Sequence, residues 1–175
     1  MNILISNDDG IYANGIKALC EALSSSYDVY LIAPNQERSA AGHSITLNSP
    51  LRVEEVGSLY GTMHSWAVSG TPGDCVKIGV NAILSSEEQP DIIISGINHG
   101  PNLGHDIIYS GTVSCAIEGA MMNIPSIAVS LNSYKPEFED FTFAATFVKS
   151  LIPKLKDFKF PEKSILNINV PGIPQ

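Results

Sequence analysis

The sequence predicts an α/β fold: a mostly parallel sheet with helices on both faces and an inserted antiparallel hairpin. Two observations point there. Short apolar runs alternate with segments whose apolar residues recur at helical spacing, and between about residues 46 and 69 this gives way to apolar and polar residues in alternation.

The first strand is expected over Ile3 to Ser6, and Ile16, Leu19, Cys20 and Leu23 then share one helical face. Tyr27 to Ala33 reads as a second strand buried on both faces, ended by Pro34, which cannot continue a central ladder. A polar, irregular segment follows. Leu51, Val53 and Val56, then Met63, Trp66 and Val68, alternate around Gly57 and Gly61 and predict the hairpin. A helix is expected over Gly73 to Leu84, a strand over Asp91 to Ser95, a long loop over Gly96 to Tyr109 and a helix over Gly111 to Met122. Ile124 to Ser130 reads as a strand, Phe141, Ala144, Ala145, Val148, Leu151 and Ile152 mark a further amphipathic helix, and Ser164 to Val170 closes the pattern as a strand. No internal repeat, low-complexity tract or linker interrupts it, so 175 residues are expected to form one domain.

Composition narrows function. With 44% hydrophobic and 16% charged residues the chain can bury an ordinary core, which excludes a disordered or fibrous chain. A net charge of -8 repels a nucleic acid polymer, so an acidic protein that handles phosphate needs a cation. No apolar run approaches the roughly 20 residues that span a bilayer, and the N-terminus lacks a basic leader. Cys20, Cys75 and Cys115 are widely spaced and form no C-x-x-C pair, which suits neither a disulfide framework nor a thiolate metal site. A cytoplasmic protein with no membrane or nucleic acid partner is expected.

In an open parallel sheet ligands bind beyond the carboxyl ends of the strands, so the loops there are read together. Asn7-Asp8-Asp9-Gly10 follows the first strand and offers two adjacent carboxylates on a sharp turn, donors that suit a hard cation such as Mg²⁺ or Mn²⁺. The same four residues also compose an ordinary Asx turn, so the motif needs company. After the second strand, Ser39 offers a hydroxyl oxygen to the cation. Arg38 can balance a phosphate or pair with Glu37 or a helix end, and His43 can be a general acid or a turn residue; for both, the structural role is preferred. The third loop, Ser95 to Ser114, is the richest. Asn98 offers an amide oxygen to a metal, Asn102 an amide to phosphate, and Ser110-Gly111-Thr112 at a helix start presents N–H groups and hydroxyls to an anion. A plain N-cap explains Ser110 equally well on its own, and only its expected place beside Asp8, Asp9 and Asn98 favours an anion cradle. Neither a Walker loop nor a dinucleotide fingerprint is present.

At these residues the sequence resembles the SurE family of stationary-phase survival proteins. The carrying segments are I-L-I-S-N-D-D-G-I-Y-A-N-G-I, A-P-N-Q-E-R-S-A-A-G-H-S-I-T, V-S-G-T-P-G-D-C-V and S-G-I-N-H-G-P-N-L-G-H-D-I-I-Y-S-G-T-V, spread over nearly the whole chain. The resemblance implies a Rossmann-like three-layer core and a metal-dependent nucleotidase acting on 5′- and 3′-nucleotides, with some polyphosphatase activity. It implies that Asp8, Asp9, Ser39 and Asn98 hold one divalent cation and that Asn102, Ser110, Gly111 and Thr112 contact the phosphate. It also implies a hairpin near the site that helps shape substrate choice. Thr71-Pro72-Gly73-Asp74 is expected close by, with Asp74 read as a helix-start residue. Family members usually continue beyond Leu166 to Pro171, through a segment that builds a homodimer or homotetramer and adds residues at the mouth of the site.

The expected chemistry is hydrolysis of nucleoside monophosphates, with attack either by metal-activated water directly or by water that Asp8 or Asp9 assists as a base. A covalent aspartyl-phosphate ranks lower, because a metal-bound carboxylate is a poor nucleophile. The competing class is a nucleotide-binding regulatory module without turnover. A sugar-nucleotide transferase shares the α/β pattern but leaves Asp8, Asp9 and Asn98 unexplained.

Overall fold

The computed structural model describes residues 1–38, 42–133, 135–155 and 158–172. Its strands are β1 (Asn2–Ser6), β2 (Asp28–Pro34), β3 (Val53–Gly57), β4 (His64–Val68), β5 (Ile92–His99), β6 (Ser126–Asn132) and β7 (Leu166–Pro171). The helices are α1 (Asn14–Ser24), α2 (Pro72–Ile78), α3 (Gly111–Met121) and α4 (Phe138–Leu155). The strands form one seven-stranded sheet in the order β3-β4-β2-β1-β5-β6-β7, parallel throughout except for β3 against β4. The α/β architecture expected from the alternating pattern is therefore present.

Strand alternation distributes the core between two faces. Ile3 and Ile5 of β1, with Ile92 and Ile94 of β5, pack under Leu19 and Leu23 of α1 and Phe141, Ala144 and Val148 of α4. Leu4 and Ile93 point the other way, to Val76 of α2 and Cys115 of α3. Every one of those β1 and β5 side chains is at most 2% exposed. Truncating such an isoleucine to alanine costs about 2–5 kcal/mol, so the two faces hold the sheet edge that carries the site in place.

The hairpin differs in position from the expectation. β3 and β4 do pair antiparallel, but β4 runs parallel to β2 as a full member of the sheet, with Tyr30 opposite His64 and Pro34 opposite Val68. Parallel alignment puts Val68 at the site edge and the turn at Leu59–Gly61 at the far edge, where Gly61 lies against Ser24 at the end of α1. The hairpin tip therefore stands away from the site, and the described residues 42–52 ahead of β3, which carry no strand, are the part that lies towards it.

β5 also runs further than expected. It continues past Ser95 to His99, with a register shift against β6 between Ser95 and Asn98, so Asn98 sits in the strand rather than in a loop. The remainder of the expected loop contains a 3₁₀ turn at Gly104–Ile108. α2 starts as expected: Thr71 and Asp74 form a reciprocal capping box and Pro72 occupies the first turn. Beyond α2 the expected helix continues as a π turn over Gly79–Ile83. Among the described residues no helix is long and apolar enough to cross a membrane, and Cys20, Cys75 and Cys115 are buried free thiols.

Candidate active site

Because β1, β2 and β5 are parallel, the residues that follow them meet at one edge. Asn7 closes the turn after β1: its side-chain oxygen accepts from the Gly10 N–H at 3.1 Å and its amide donates to the Gly10 carbonyl at 2.9 Å. Gly10 adopts φ +100°, a conformation that side chains beyond glycine rarely take. The turn delivers Asp8, 7% exposed, onto the N-terminus of α3.

There Asp8 accepts a hydrogen bond from the Thr112 hydroxyl. Burial pushes the Asp8 carboxyl above its ordinary range, opposed by that hydroxyl and by backbone hydrogen bonds from Thr112 and Gly111. The dipole and free N–H groups of α3 therefore already face a carboxylate. Gly111 makes the approach possible, since a Cβ on it would stand 2.6 Å from Asp8 Cβ and 2.8 Å from Oδ2. Asp9, which accepts from the His99 N–H at 3.3 Å, is pushed up to about 6, first by burial and then by the adjacent charge of Asp8.

Asn98 is oriented by its own backbone. Its amide nitrogen donates to the carbonyls of Gly100 at 2.9 Å and His99 at 3.3 Å, which leaves its oxygen directed towards Thr112, 3.4 Å from the hydroxyl. Asp8, Asp9 and Asn98 line one cleft of about 290 Å³ with Asn102, Ser110, Glu37, His99, Asp106 and Tyr109. Ser110 caps α3, accepting from the Val113 N–H at 3.1 Å. Asn102 is 6% exposed and gives one amide hydrogen to Ser130 Oγ at 2.7 Å.

The residues singled out from the sequence thus divide. Asp8, Asp9, Asn98, Asn102 and Ser110 converge on the cleft, whereas Gly111 and Thr112 lie behind Asp8 and are not among its lining residues. Thr112 is fully buried and its hydroxyl serves Asp8. Ser39 lies outside the described residues. Arg38 takes a structural role: its guanidinium donates to the Ser69 carbonyl at 2.8 Å, and its main-chain N–H donates to the Asp8 carbonyl at 2.7 Å. His43 reaches away from the cleft to Glu118 of α3 at 2.7 Å, and Lys77 of α2 meets the same carboxylate at 3.2 Å. Sequence reasoning missed Asn167 and Asn169 of β7, whose side chains hold the main chain of Asn102. Asparagine is disfavoured inside strands, so the Asn-x-Asn pair in β7 was the available signal.

Whether these residues fit a cation can be judged from the acids themselves. Two carboxylates stand side by side, Asp8 buried and Asp9 half-buried, and among the described residues neither is in an ion pair with a lysine or arginine. Among the described residues no three His, Cys, Asp or Glu side chains gather as a cage, so the donor set is two carboxylates and one amide oxygen. That set suits a hard divalent ion that keeps water and substrate oxygens in its shell.

The family model described as Survival protein SurE matches residues 3–175. The chain belongs to the SurE family. A 5′-nucleotidase SurE from Pelotomaculum thermopropionicum is 53% identical over 171 residues, covering 98% of this chain and 64% of the relative. Another 5′-nucleotidase SurE, from Trichodesmium erythraeum, is 48% identical over 177 residues, covering 100% of this chain and 65% of that protein. The crystal structure of SurE protein from Aquifex aeolicus superposes with a TM-score of 0.85 at 40% identity, covering 99% of this chain and 67% of that one. The chain thus spans about two thirds of the length of the SurE relatives it matches.

Proposed function

We propose that this chain carries the phosphate and metal site of a divalent-cation-dependent phosphomonoesterase that hydrolyses nucleoside 5′-monophosphates. The observation that carries the reading is the meeting of Asp8, Asp9 and the Asn98 oxygen beside the N-terminus of α3, with Ser110 and Asn102 on the same cleft. The relatives named 5′-nucleotidase supply the substrate class. 3′-Nucleotides and short polyphosphates end in the same phosphoryl group and belong to the same proposed range.

One Mg²⁺ or Mn²⁺ would be held by Asp8, Asp9 and Asn98, with Ser39 as the further expected ligand, and when bound it supplies positive charge against that of the phosphoryl group. The chain's own groups do the rest. Ser110 and Asn102 orient the phosphate by donating from a hydroxyl and a second amide hydrogen, and the α3 dipole favours negative charge there. Thr112 and the backbone of α3 keep Asp8 in one orientation. Asp9, the more accessible of the two acids and a lining residue of the cleft, would assist an attacking water as a base. A cytoplasmic setting accords with the three buried free thiols.

The test is inorganic phosphate release from 5′- and 3′-nucleoside monophosphates and tripolyphosphate with Mg²⁺, Mn²⁺ or EDTA, comparing wild type with Asp9→Asn. Metal-dependent release that Asp9→Asn abolishes is the expected outcome. Tight nucleotide binding with no release under any metal would instead make the chain a binding module.

A further inference from the structure

Eight of the nine residues lining the cleft present carboxyl, amide, imidazole or aliphatic hydroxyl groups; Tyr109 alone brings a benzene ring. The residue as a whole is 65% exposed. Its exposure does not come from a loose backbone, because the Tyr109 N–H donates to the Asp106 carbonyl at 3.1 Å and its carbonyl accepts from the Gly42 N–H at 3.1 Å. It stands one residue before Ser110, the cap of α3, so its main chain is held beside the proposed phosphate position. Ile108, 67% exposed, and Leu103, 49% exposed, stand at the two ends of the 3₁₀ turn that leads to Tyr109. Single exposed apolar residues are ordinary, but here three stand within one short turn beside a polar cleft.

A cleft that is polar at its floor and aromatic at one wall matches a phosphate ester whose alcohol carries a flat ring. We propose that Tyr109 is a specificity-determining residue, the platform on which the base of a nucleoside monophosphate stacks when its phosphate lies at Ser110 and Asn102. This rests on the phosphomonoesterase reading. Every nucleobase has a π face, so a stacking platform favours nucleosides over ring-free alcohols while discriminating little among bases.

The experiment compares kcat/KM for adenosine 5′-monophosphate with that for glycerol 3-phosphate, which offers the same phosphate without a ring, in wild type, Tyr109→Ala and Tyr109→Phe. The ratio is expected to fall about 10-fold in Tyr109→Ala, through KM rather than kcat, and to stay within about 2-fold in Tyr109→Phe, which keeps the ring. An unchanged ratio in Tyr109→Ala, with phosphate still released from both esters, overturns the stacking role and leaves the hydrolase reading standing. An equal fall in Tyr109→Phe also overturns it, assigning the effect to the hydroxyl. Should wild type release phosphate from neither ester, the hydrolase reading fails by itself. Equilibrium dialysis of adenosine 5′-monophosphate and of inorganic phosphate against the three proteins then decides: weaker nucleotide binding relative to phosphate in Tyr109→Ala supports the platform, and parallel changes overturn it.

Discussion

The side-chain amide of Asn169 pairs with both main-chain polar groups of Asn102, accepting from its N–H at 2.8 Å and donating to its carbonyl at 3.2 Å. It does for the loop after β5 what a neighbouring strand would do. Asn167 donates to the same carbonyl at 2.9 Å, and Ser130 of β6 takes the Asn102 side chain. The outer strands β6 and β7 therefore brace a cleft residue from behind.

Replacing Asn169 by leucine leaves the Asn102 N–H without its acceptor while Asn167 still serves the carbonyl. A buried donor left unpaired costs about 1–3 kcal/mol, so Asn169→Leu is expected to lower the unfolding free energy by that amount, read as a lower urea midpoint at unchanged m, and to slow phosphate release. Asn169→Asp keeps the acceptor but sets a carboxylate oxygen against the Asn102 carbonyl, and should lose at least as much. Wild-type stability in both variants would show that the brace is idle.

Gly111→Ala tests the contact between Asp8 and α3 directly. The added Cβ would lie 2.6 Å from Asp8 Cβ, closer than packed atoms approach, so either the carboxylate or the helix start must move. Displacing a catalytic group by about 1 Å can cost on the order of 100-fold in rate, and that is the expected drop in kcat. Ala is otherwise the best helix former, so circular dichroism should show α3 and the fold retained. Activity within a few-fold of wild type would mean that Asp8 tolerates displacement.

What could be read from sequence follows from how local each signal is. The run Asn2 to Ile5 with the helical face Ile16, Leu19, Cys20 and Leu23 carries its structure in its own periodicity, and both elements form there. The Asn7 turn is also local, since the Asn7 side chain bonds to Gly10 three residues on. By contrast the end of β5 is not legible locally, because Gly96 and Gly100 read as loop, whereas pairing with β6 carries the strand to His99. The place of the hairpin tip is not local either: the pairing of β4 with β2, more than 30 residues apart, decides which edge it faces. The brace on Asn102 spans 65 and 67 residues, a separation that no window along the chain can see.

The paired acids give a pH-dependent stability that a cation should reverse. Asp9 is pushed up to about 6 and Asp8 is raised in the same direction, so in metal-free protein the folded state holds more protons than the unfolded chain between the ordinary value of 3.8 and about 6. Stability must then fall as pH rises through that window. Thermal melts in EDTA are expected to show a lower midpoint at about pH 7 than at about pH 5, and Mg²⁺ at 100 times its Kd should restore about 2.7 kcal/mol at the higher pH. Protons compete with the cation at lower pH, so the metal effect should shrink there. Asp9→Asn should flatten both trends; melts insensitive to Mg²⁺ at every pH would reject these residues as a cation site.

Asp74 shows the opposite sign. Its carboxylate accepts from the Thr46 hydroxyl at 2.6 Å, the Thr46 N–H at 3.0 Å and the Thr71 N–H at 2.8 Å. Burial acts to raise its carboxyl, but these hydrogen bonds outweigh burial and hold it below the ordinary 3.8. Stability from Asp74 is therefore present above that value and lost as pH falls through the lowered one. The same bonds tie the segment ahead of β3 to the start of α2, where the Thr71 hydroxyl also donates to the Ser44 carbonyl at 2.7 Å. Asp74→Asn loses an acceptor and turns an N–H₂ group towards donors, which is expected to cost about 1–3 kcal/mol at neutral pH. The deficit should narrow as acid protonates the wild-type carboxyl, so denaturation curves for the two proteins are expected to converge as pH falls below the ordinary 3.8 and through the lowered value. A deficit that stays constant down to that pH would assign the loss to packing rather than to the ionised carboxylate.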